Sequence, residues 1–225
     1  MAISLAVFGV LAALLAWRTG CGGERRAASG VPSGVESGEA GQSSGIAEDL
    51  QQRAANRAGE VPETPLTDLA VTFEDQDGRV RRLSEFRGRQ WVASAIYTRC
   101  VTVCPRIVEE LRALEKDPMW AADTSWKGVL FSLDPAFDRP PVLRAFAAAH
   151  GLDPARWTLL VPDSASLGPT VRALGLLARD DPGGGIAHTA VFTMVGADGR
   201  IADRRVGFIL PAGGLALAWR RHPSP

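Results

Sequence analysis

The sequence predicts an α/β sandwich built around a central mixed β-sheet. Three apolar runs, Trp91–Tyr97, Val129–Leu133 and Trp157–Val161, are typical of strands, and the first two are continuous enough to be buried on both faces. A helical pattern of apolar residues follows each run. The turn pairs Asp77–Gly78 and Asp198–Gly199 favour one β-hairpin before these strands and one after them. Strands that alternate with helices in this way are typical of the class.

Each element follows from local apolar spacing and from the residues that begin or end it. Pro105 suits the first position of a helix, where its missing N–H costs nothing. Ser164 is predicted to cap a helix, and Gly151 to close one. In chain order the predicted elements are strand Leu69–Phe73, strand Arg79–Leu83, strand Trp91–Tyr97, helix Pro105–Lys116, strand Val129–Leu133, helix Pro140–His150, strand Trp157–Val161, helix Ser164–Leu174, strand Thr189–Val195, strand Ile201–Val206 and helix Pro211–Arg221.

Residues 1–21 are predicted to be a membrane anchor or signal segment. Ala2 to Trp17 is uncharged and apolar apart from Ser4, although it is shorter than the roughly 20 residues that usually span a bilayer. Cys21, which follows Gly20, is a candidate for lipidation after processing. The sequence therefore predicts a chain that is held at a membrane or exported across one.

Residues 22–61 are predicted to be a flexible linker, and residues 62–221 a globular domain. The linker is rich in Gly, Ser, Ala and Glu and has almost no large apolar residue, so it cannot bury enough surface to fold alone. Within it, Ile46 to Ala58 is predicted to form a transient polar helix. All the predicted strands lie in the domain.

The charge balance excludes nucleic acid as a predicted partner. Lys and Arg number 25, Asp and Glu also number 25, and the formal net charge is zero at pH 7. No overall field therefore attracts a polyanion or an anionic surface.

Two of the three cysteines, Cys100 and Cys104, lie at the predicted junction between a strand and a helix. A helix N-terminus offers unpaired N–H groups and a positive dipole end, which lower the pKa of a nearby thiol. Such a pair can exchange electrons with another dithiol or bind a soft metal ion. A structural disulfide is a third interpretation, but a bridge that closes so short a loop removes little chain entropy.

Only three histidines are available as partners for these thiols. His150 precedes Gly151 at a predicted helix end, where an imidazole complements the helix dipole. His222 lies in the terminal pentapeptide and is predicted to have no role. His188 follows a glycine-rich loop and is predicted to open strand Thr189–Val195, which can place it at the edge of the sheet. Taken alone, His188 is better explained by a structural role than by metal binding.

Three motifs occur together in the chain: Tyr97-Thr98-x-Cys100-x-x-x-Cys104-Pro105, Ser132-Leu133-Asp134-Pro135, and His188 after a loop and before the last hairpin. In this combination the chain resembles the SCO/SenC family. These are membrane-tethered, thioredoxin-fold proteins of cytochrome c oxidase biogenesis. The resemblance covers roughly Pro62 to Ala218 and implies a thioredoxin-like sandwich. It also implies that Cys100, Cys104 and His188 are copper ligands.

The resemblance further implies a metallochaperone, not an enzyme, that carries one copper ion per domain. Soft thiolates suit Cu(I), and imidazole accepts both oxidation states, so the set suits either Cu(I) or Cu(II). The implied partners are the copper-site subunit of cytochrome c oxidase and a periplasmic copper donor or thiol reductase. The implied location is the bacterial inner membrane, with the domain facing the periplasm.

Two further residues are candidates for orienting a ligand of the metal. Asp134 ends the strand next to the cysteine strand, and Tyr97 directly precedes the cysteine motif. Each has a simpler explanation as well. Asp134 suits a turn before Pro135, and Tyr97 suits core packing.

Two other functions use the same thiols. A periplasmic thiol–disulfide oxidoreductase would reduce cysteines of a copper-site protein, although redox motifs usually space their cysteines two apart. A thiol peroxidase would need a basic group beside one thiolate, and Arg99 and Arg106 are the candidates. His188 separates these hypotheses, because metal binding needs it and pure dithiol exchange does not.

Overall fold

The computed structural model describes residues 38–56, 60–182, 184–208 and 213–219, which all belong to one compact unit. The apolar segment predicted within residues 1–21, the lipidation candidate Cys21 and the terminal His222 lie outside this part of the chain. Among the described residues, no helix is both long enough and apolar enough to cross a bilayer.

Six α-helices and nine strands are present among the described residues. The helices are α1 (Gly38–Asn56), α2 (Val103–Lys116), α3 (Pro118–Ala122), α4 (Pro140–Ala149), α5 (Ser164–Ala173) and α6 (Gly214–Trp219). The strands are β1 (Phe73–Asp75), β2 (Val80–Arg81), β3 (Trp91–Ile96), β4 (Lys127–Ser132), β5 (Trp157–Pro162), β6 (Ala178–Asp180), β7 (Ile186–His188), β8 (Val191–Val195) and β9 (Ile201–Val206).

A seven-stranded mixed sheet forms the centre, in the order β2-β1-β5-β4-β3-β8-β9. Strands β3, β4 and β5 are parallel to one another. Strands β1 and β8 flank them antiparallel, and β2 and β9 pair antiparallel with β1 and β8 in turn. The sheet therefore confirms the predicted α/β sandwich with a central mixed sheet. Strands β6 and β7 form a separate two-stranded hairpin.

Strand β3 is buried on both faces, as its continuous apolar run predicts. Because side chains alternate along a strand, Val92 and Ile96 join the apolar cluster that contains residues of α2 and α6. Trp91 and Ala93 join a second cluster, which contains Leu174 at the end of α5. This two-sided burial fixes the strand whose carboxyl end leads into the cysteine motif.

Helix α1 lies within the segment that the sequence predicts to be a flexible linker. It packs against β7 and β9, and it begins earlier than the transient helix predicted from Ile46. Leu50 and Ala54 lie four residues apart, so they share one face of the helix, and both are buried. The linker prediction is corrected over this stretch, because it rested on average composition and not on the face that these few apolar residues share.

Several element ends also differ from the sequence predictions. Asp163, not Ser164, caps α5, because its Oδ1 accepts the N–H of Ser166 at 2.7 Å. Helix α2 begins at Val103, two residues before Pro105. The first turn tolerates a proline there, because its N–H groups have no partner within the helix. Helix α3 and strand β6 are too short to give an apolar period, and the sequence did not predict them.

Candidate metal centre

The two site cysteines lie where β3 ends and α2 begins. The Cys100 N–H donates to the Tyr97 carbonyl at 3.1 Å, which turns the chain between the two elements. Cys104 is fully buried in the first turn of α2, and Cys100 is 8% exposed. The Sγ atom of Cys100 accepts the Cys104 N–H at 3.4 Å. Both thiols are free, and the Cys100 sulfur meets an N–H of the first helical turn, as the junction predicts.

The two thiols have opposite pKa shifts. A hydrogen bond from the Cys104 thiol lowers the pKa of Cys100 to about 4, and the N–H groups of Cys104, Thr102 and Val103 act in the same direction against the effect of burial. The same thiol–thiol bond raises the pKa of Cys104, and burial raises it further. Cys100 is therefore the thiolate of the pair, and Cys104 is the proton donor.

His188 reaches this pair from the end of β7. Its Nε2 lies 3.6 Å from the Sγ atom of Cys104, and its Nδ1 lies 3.1 Å from the Thr189 carbonyl. Because a carbonyl can only accept, Nδ1 carries the proton, and the Nε2 lone pair faces Cys104. Burial lowers the pKa of His188, which favours the neutral imidazole that a metal needs.

The prediction that His188 opens strand Thr189–Val195 is wrong in detail. His188 pairs with Ala178 in the β6–β7 hairpin, and β8 begins only at Val191. The glycine-rich loop closes this hairpin through the Asp181 N–H and the Gly185 carbonyl, 2.9 Å apart. Gly184 in the loop has a φ of 87°, a conformation that glycine adopts without strain. Gly184 therefore suits the turn of the hairpin that presents His188.

The structure brings two of the three predicted ligands into contact and holds the third beside them. Cys104 contacts His188, while Cys100 is hydrogen-bonded to the Cys104 amide. Within the described ranges, no group of three or more His, Cys, Asp or Glu side chains is arranged to hold a metal ion. The chemistry of the donors, two sulfurs and one unprotonated imidazole nitrogen, fits a soft metal ion.

Tyr97 lies against the imidazole. Its ring meets the His188 ring edge-on, with the ring centres 5.9 Å apart. Its side chain also packs against both apolar clusters. A Cβ on Gly185 would lie 3.1 Å from the Tyr97 hydroxyl, so the hairpin loop approaches this ring closely. Burial raises the pKa of Tyr97 to about 12, so its hydroxyl stays protonated.

Of two acidic residues in the loop after β4, Asp138 is the one that supports the cysteine motif. Asp138 is fully buried and accepts hydrogen bonds from the Ser132 hydroxyl at 2.6 Å and from the hydroxyl and N–H of Thr98. Burial raises its pKa, while these bonds oppose the shift. The sequence analysis did not single out Asp138, and nothing in its local pattern distinguishes it from Asp134.

Asp134, the predicted candidate, has a different set of partners. Its carboxylate accepts two hydrogen bonds from the Arg99 guanidinium, the shorter at 2.6 Å, and one from the Phe137 N–H. It therefore closes the turn after β4 and holds Arg99. Arg99 also stacks on the Phe137 ring, and Arg106 lies over the Phe208 ring. Both arginines that the peroxidase hypothesis requires are therefore in contact with an aromatic ring.

Replacing Asp138 with alanine should lower both stability and metal affinity. The buried Ser132 hydroxyl and the Thr98 donors would lose their acceptor, so we expect the free energy of unfolding to fall by about 3 kcal/mol. Thr98 lies two residues before Cys100, so metal affinity should fall roughly 10- to 100-fold. Urea denaturation and metal titration measure the two effects.

Asp134→Ala is the matched control, because its Arg99 partner is half exposed. We expect a smaller loss of stability in that variant, about 1–2 kcal/mol, because Asp134 is itself buried but Arg99 regains water. Equal losses in the two variants would contradict the supporting role of Asp138.

The fold and the site together define a thioredoxin-like protein that carries a CxxxC cysteine pair next to a buried histidine. The family model described as SCO1/SenC matches residues 62–207 of the chain. The chain therefore belongs to the SCO1/SenC family, as the resemblance in the sequence predicts.

Individual relatives agree with this assignment. The chain is 30% identical to the SCO1 protein homolog of Bacillus subtilis (strain 168) over 133 residues, which are 58% of this chain and 68% of the relative. The crystal structure of a SCO1/SenC family lipoprotein from Bacillus anthracis str. Ames matches with a TM-score of 0.59 and 26% identity, over 71% of this chain and 97% of that one.

Two further structures extend the comparison. BsSco, described with a disulfide switch and as a member of the Sco family of cytochrome c oxidase assembly proteins, matches with a TM-score of 0.57 and 27% identity, over 71% of this chain and 96% of that one. Bradyrhizobium japonicum ScoI, solved with copper bound, shares the fold at a TM-score of 0.53 and 23% identity, over 68% and 96% of the two chains.

Proposed function

We propose that the chain is a copper-binding metallochaperone for the dinuclear copper site of cytochrome c oxidase. Cys100, Cys104 and His188 are the proposed ligands, and one copper ion binds per domain. The observation that carries the proposal is the contact between the Cys104 sulfur and the unprotonated Nε2 of His188, 3.6 Å apart, beside a second thiol.

The chemistry of the donors supports copper. Thiolate sulfur is a soft ligand that favours Cu(I), and imidazole nitrogen also stabilises Cu(II). The neutral His188 and the low pKa of Cys100 leave two of the three donors free of protons near neutral pH. Membership of the SCO1/SenC family supports the oxidase role, since BsSco is described as belonging to a family of oxidase assembly proteins.

The proposed location is the bacterial inner membrane, with residues 62–221 as the copper-binding domain facing the periplasm. The apolar residues 1–21 are the proposed anchor or signal, and residues 22–61 the connection to the domain. The description of a Bacillus anthracis relative as a lipoprotein supports attachment to a membrane. The proposed partners are the copper-site subunit of the oxidase, a periplasmic copper donor or thiol reductase, and the membrane, while the balanced charge argues against nucleic acid.

Copper titration of the reduced protein tests the proposal. We expect one copper ion per chain, and Cu(II) bound by thiolate should produce an intense charge-transfer band in the visible or near ultraviolet. Loss of that band in Cys104→Ser and a change of the band in His188→Ala, with neither effect in His150→Ala, would assign it to this site. Weak binding without the band in the wild-type protein would refute the copper function.

A second candidate function, thiol–disulfide exchange with cysteines of a copper-site protein, is favoured by the hydrogen-bonded thiol pair. The low pKa of Cys100 supplies an attacking thiolate, and Cys104 lies next to it to close a disulfide. The disulfide switch described for BsSco supports this candidate as well.

Oxidation of the pair should abolish tight copper binding. Thiolates are the metal ligands, and a disulfide removes both of them, so the oxidised protein should recover copper binding only after a reductant is added. Titration of the oxidised and re-reduced protein measures this. Tight binding by the oxidised protein would mean that copper does not use the two thiols.

A further inference from the structure

Helix α1 is an addition to the part of the chain that the family model matches. The match begins at residue 62, and α1 ends at Asn56. The helix nevertheless packs against two strands of the domain, β7 and β9. One of these, β7, ends in the proposed ligand His188.

The face of α1 that meets the domain is narrow and apolar. Leu50 is 5% exposed and Ala54 is 1% exposed, whereas Gln52 and Arg53 on the other faces are exposed. Ile46 continues the same stripe at a spacing of four residues and is partly buried. The burial pattern thus fits docking of the helix on the domain through a single face.

One face of the hairpin under α1 packs against the domain, where Ala178 and Ile186 contact the second apolar cluster. Strands β6 and β7 are three residues each and pair with one another, outside the seven-stranded sheet. An isolated two-stranded hairpin is marginally stable in water. Ala187, whose side chain points away from the His188 face of β7, is buried although it belongs to neither apolar cluster. Helix α1 packs against β7, so the burial of Ala187 is consistent with contact with the helix.

Two contacts hold α1 and the segment that follows it on the domain. The Gln51 amide lies so close to Gly207 that a Cβ there would be 3.1 Å from its nitrogen. The Gly207 N–H in turn donates to the carbonyl of Ala190, two residues after His188. Arg204 donates from its guanidinium to the carbonyls of Glu60 and Ala173, which ties the chain after α1 to the domain.

We propose that α1 positions His188 for metal binding, because Leu50 and Ala54 hold the β6–β7 hairpin in place. The inference rests on the proposed copper site, but docking of α1 can be tested without the metal. Leu50 and Ala54 act through the hairpin and are positioning residues, not ligands. The prediction is that loosening α1 affects the nitrogen donor and leaves the two thiols unchanged.

The test compares full-chain variants that add the same charge on opposite faces of α1. Leu50→Glu places a carboxylate on the docked face, and Gln52→Glu places one on the exposed face, while both residues remain good helix formers. Leu50→Met keeps the apolar contact and should behave as wild type. Leu50→Ala is a milder variant for the case in which Leu50→Glu unfolds the whole domain.

Hydrogen exchange of the metal-free protein is the first readout. In Leu50→Glu, or in Leu50→Ala if Leu50→Glu unfolds the domain, the amides of residues 178–188 should exchange faster. The amides of β3, β4 and β5 should keep wild-type rates. Gln52→Glu should match wild type throughout. Unchanged exchange in residues 178–188 would overturn the docking of α1, whatever the metal does.

Copper binding is the second readout. In Leu50→Glu, or in Leu50→Ala if Leu50→Glu unfolds the domain, we expect the Cu(II) affinity to fall roughly 10- to 100-fold. A loss of this size is typical when a residue that orients a metal ligand is removed. The Cu(II) spectrum should shift toward that of His188→Ala, while Cu(I) affinity stays within a few-fold of wild type. Faster hairpin exchange with an unchanged Cu(II) spectrum would overturn the positioning role. If the wild-type protein does not bind copper, the proposed function and the positioning role are both refuted. The docking of α1 is then judged from the hydrogen exchange data alone.

Discussion

Replacing either site cysteine with serine will abolish tight Cu(I) binding. One thiolate and one imidazole bind Cu(I) weakly, because this soft monovalent ion prefers two sulfur ligands. The measurement is a competition titration against a cellular thiol such as glutathione, in which each variant should lose its copper to the competitor. The wild-type protein should retain one copper ion per chain in the same experiment.

Two controls separate loss of a ligand from loss of the fold. Val101 lies between the two cysteines and is 87% exposed, so Val101→Ser should bind Cu(I) like wild type. In Cys104→Ser the buried hydroxyl keeps a hydrogen-bond donor at this position, so we expect a stability change of only about 1 kcal/mol. A cysteine variant that folds and keeps wild-type Cu(I) affinity would remove that cysteine from the ligand set.

Removing the imidazole will weaken Cu(II) binding more than Cu(I) binding. Cu(I) is satisfied by two thiolates, whereas Cu(II) prefers a nitrogen donor, and Nε2 of His188 faces the Cys104 sulfur. Removing a residue that only orients a metal ligand costs roughly 10- to 100-fold in affinity. For His188→Ala, which removes the ligand itself, we expect a larger loss of Cu(II) affinity. The Cu(II) spectrum should change with it, since the coordination sphere loses its nitrogen.

His150→Ala is the matched control for this experiment. His150 packs on Phe146 with the ring centres 4.2 Å apart. Burial and the neighbouring Arg112 lower the pKa of His150. Its imidazole can therefore be removed without touching the thiols. If His188→Ala and His150→Ala give the same two affinities, the third ligand has been assigned to the wrong residue.

The sequence predicted the central strands and the position of the cysteines because both depend on local pattern. A continuous apolar run such as Trp91–Ile96 predicts a strand that is buried on both faces, whatever its position in the chain. The helix after it follows from apolar residues at helical spacing, and the thiols lie at the junction as a consequence. Neighbours in sequence are enough to decide these features.

Other features depend on contacts between distant parts of the chain. Helix α1 has a polar composition, yet it packs against β7 and β9, and its Leu50 and Ala54 are buried. Strands β6 and β7 are too short to show a period of two, and their hairpin packs against Tyr97 and α1, which are distant in the chain. Average composition and short periodic patterns carry no information about such partners.

By itself the sequence determined the α/β class, the strand-to-helix junction and the presence of two thiols and one suitable imidazole. Only the tertiary structure decided that His188 ends a hairpin and presents Nε2 to Cys104, 84 positions earlier in the chain. It also decided that Asp138, and not Asp134, is the carboxylate that holds Thr98. The physical reason is that the direction of a side chain depends on the backbone turns around it. Two acids four residues apart in one loop look alike in sequence, yet the fold turns one into the core and the other toward Arg99.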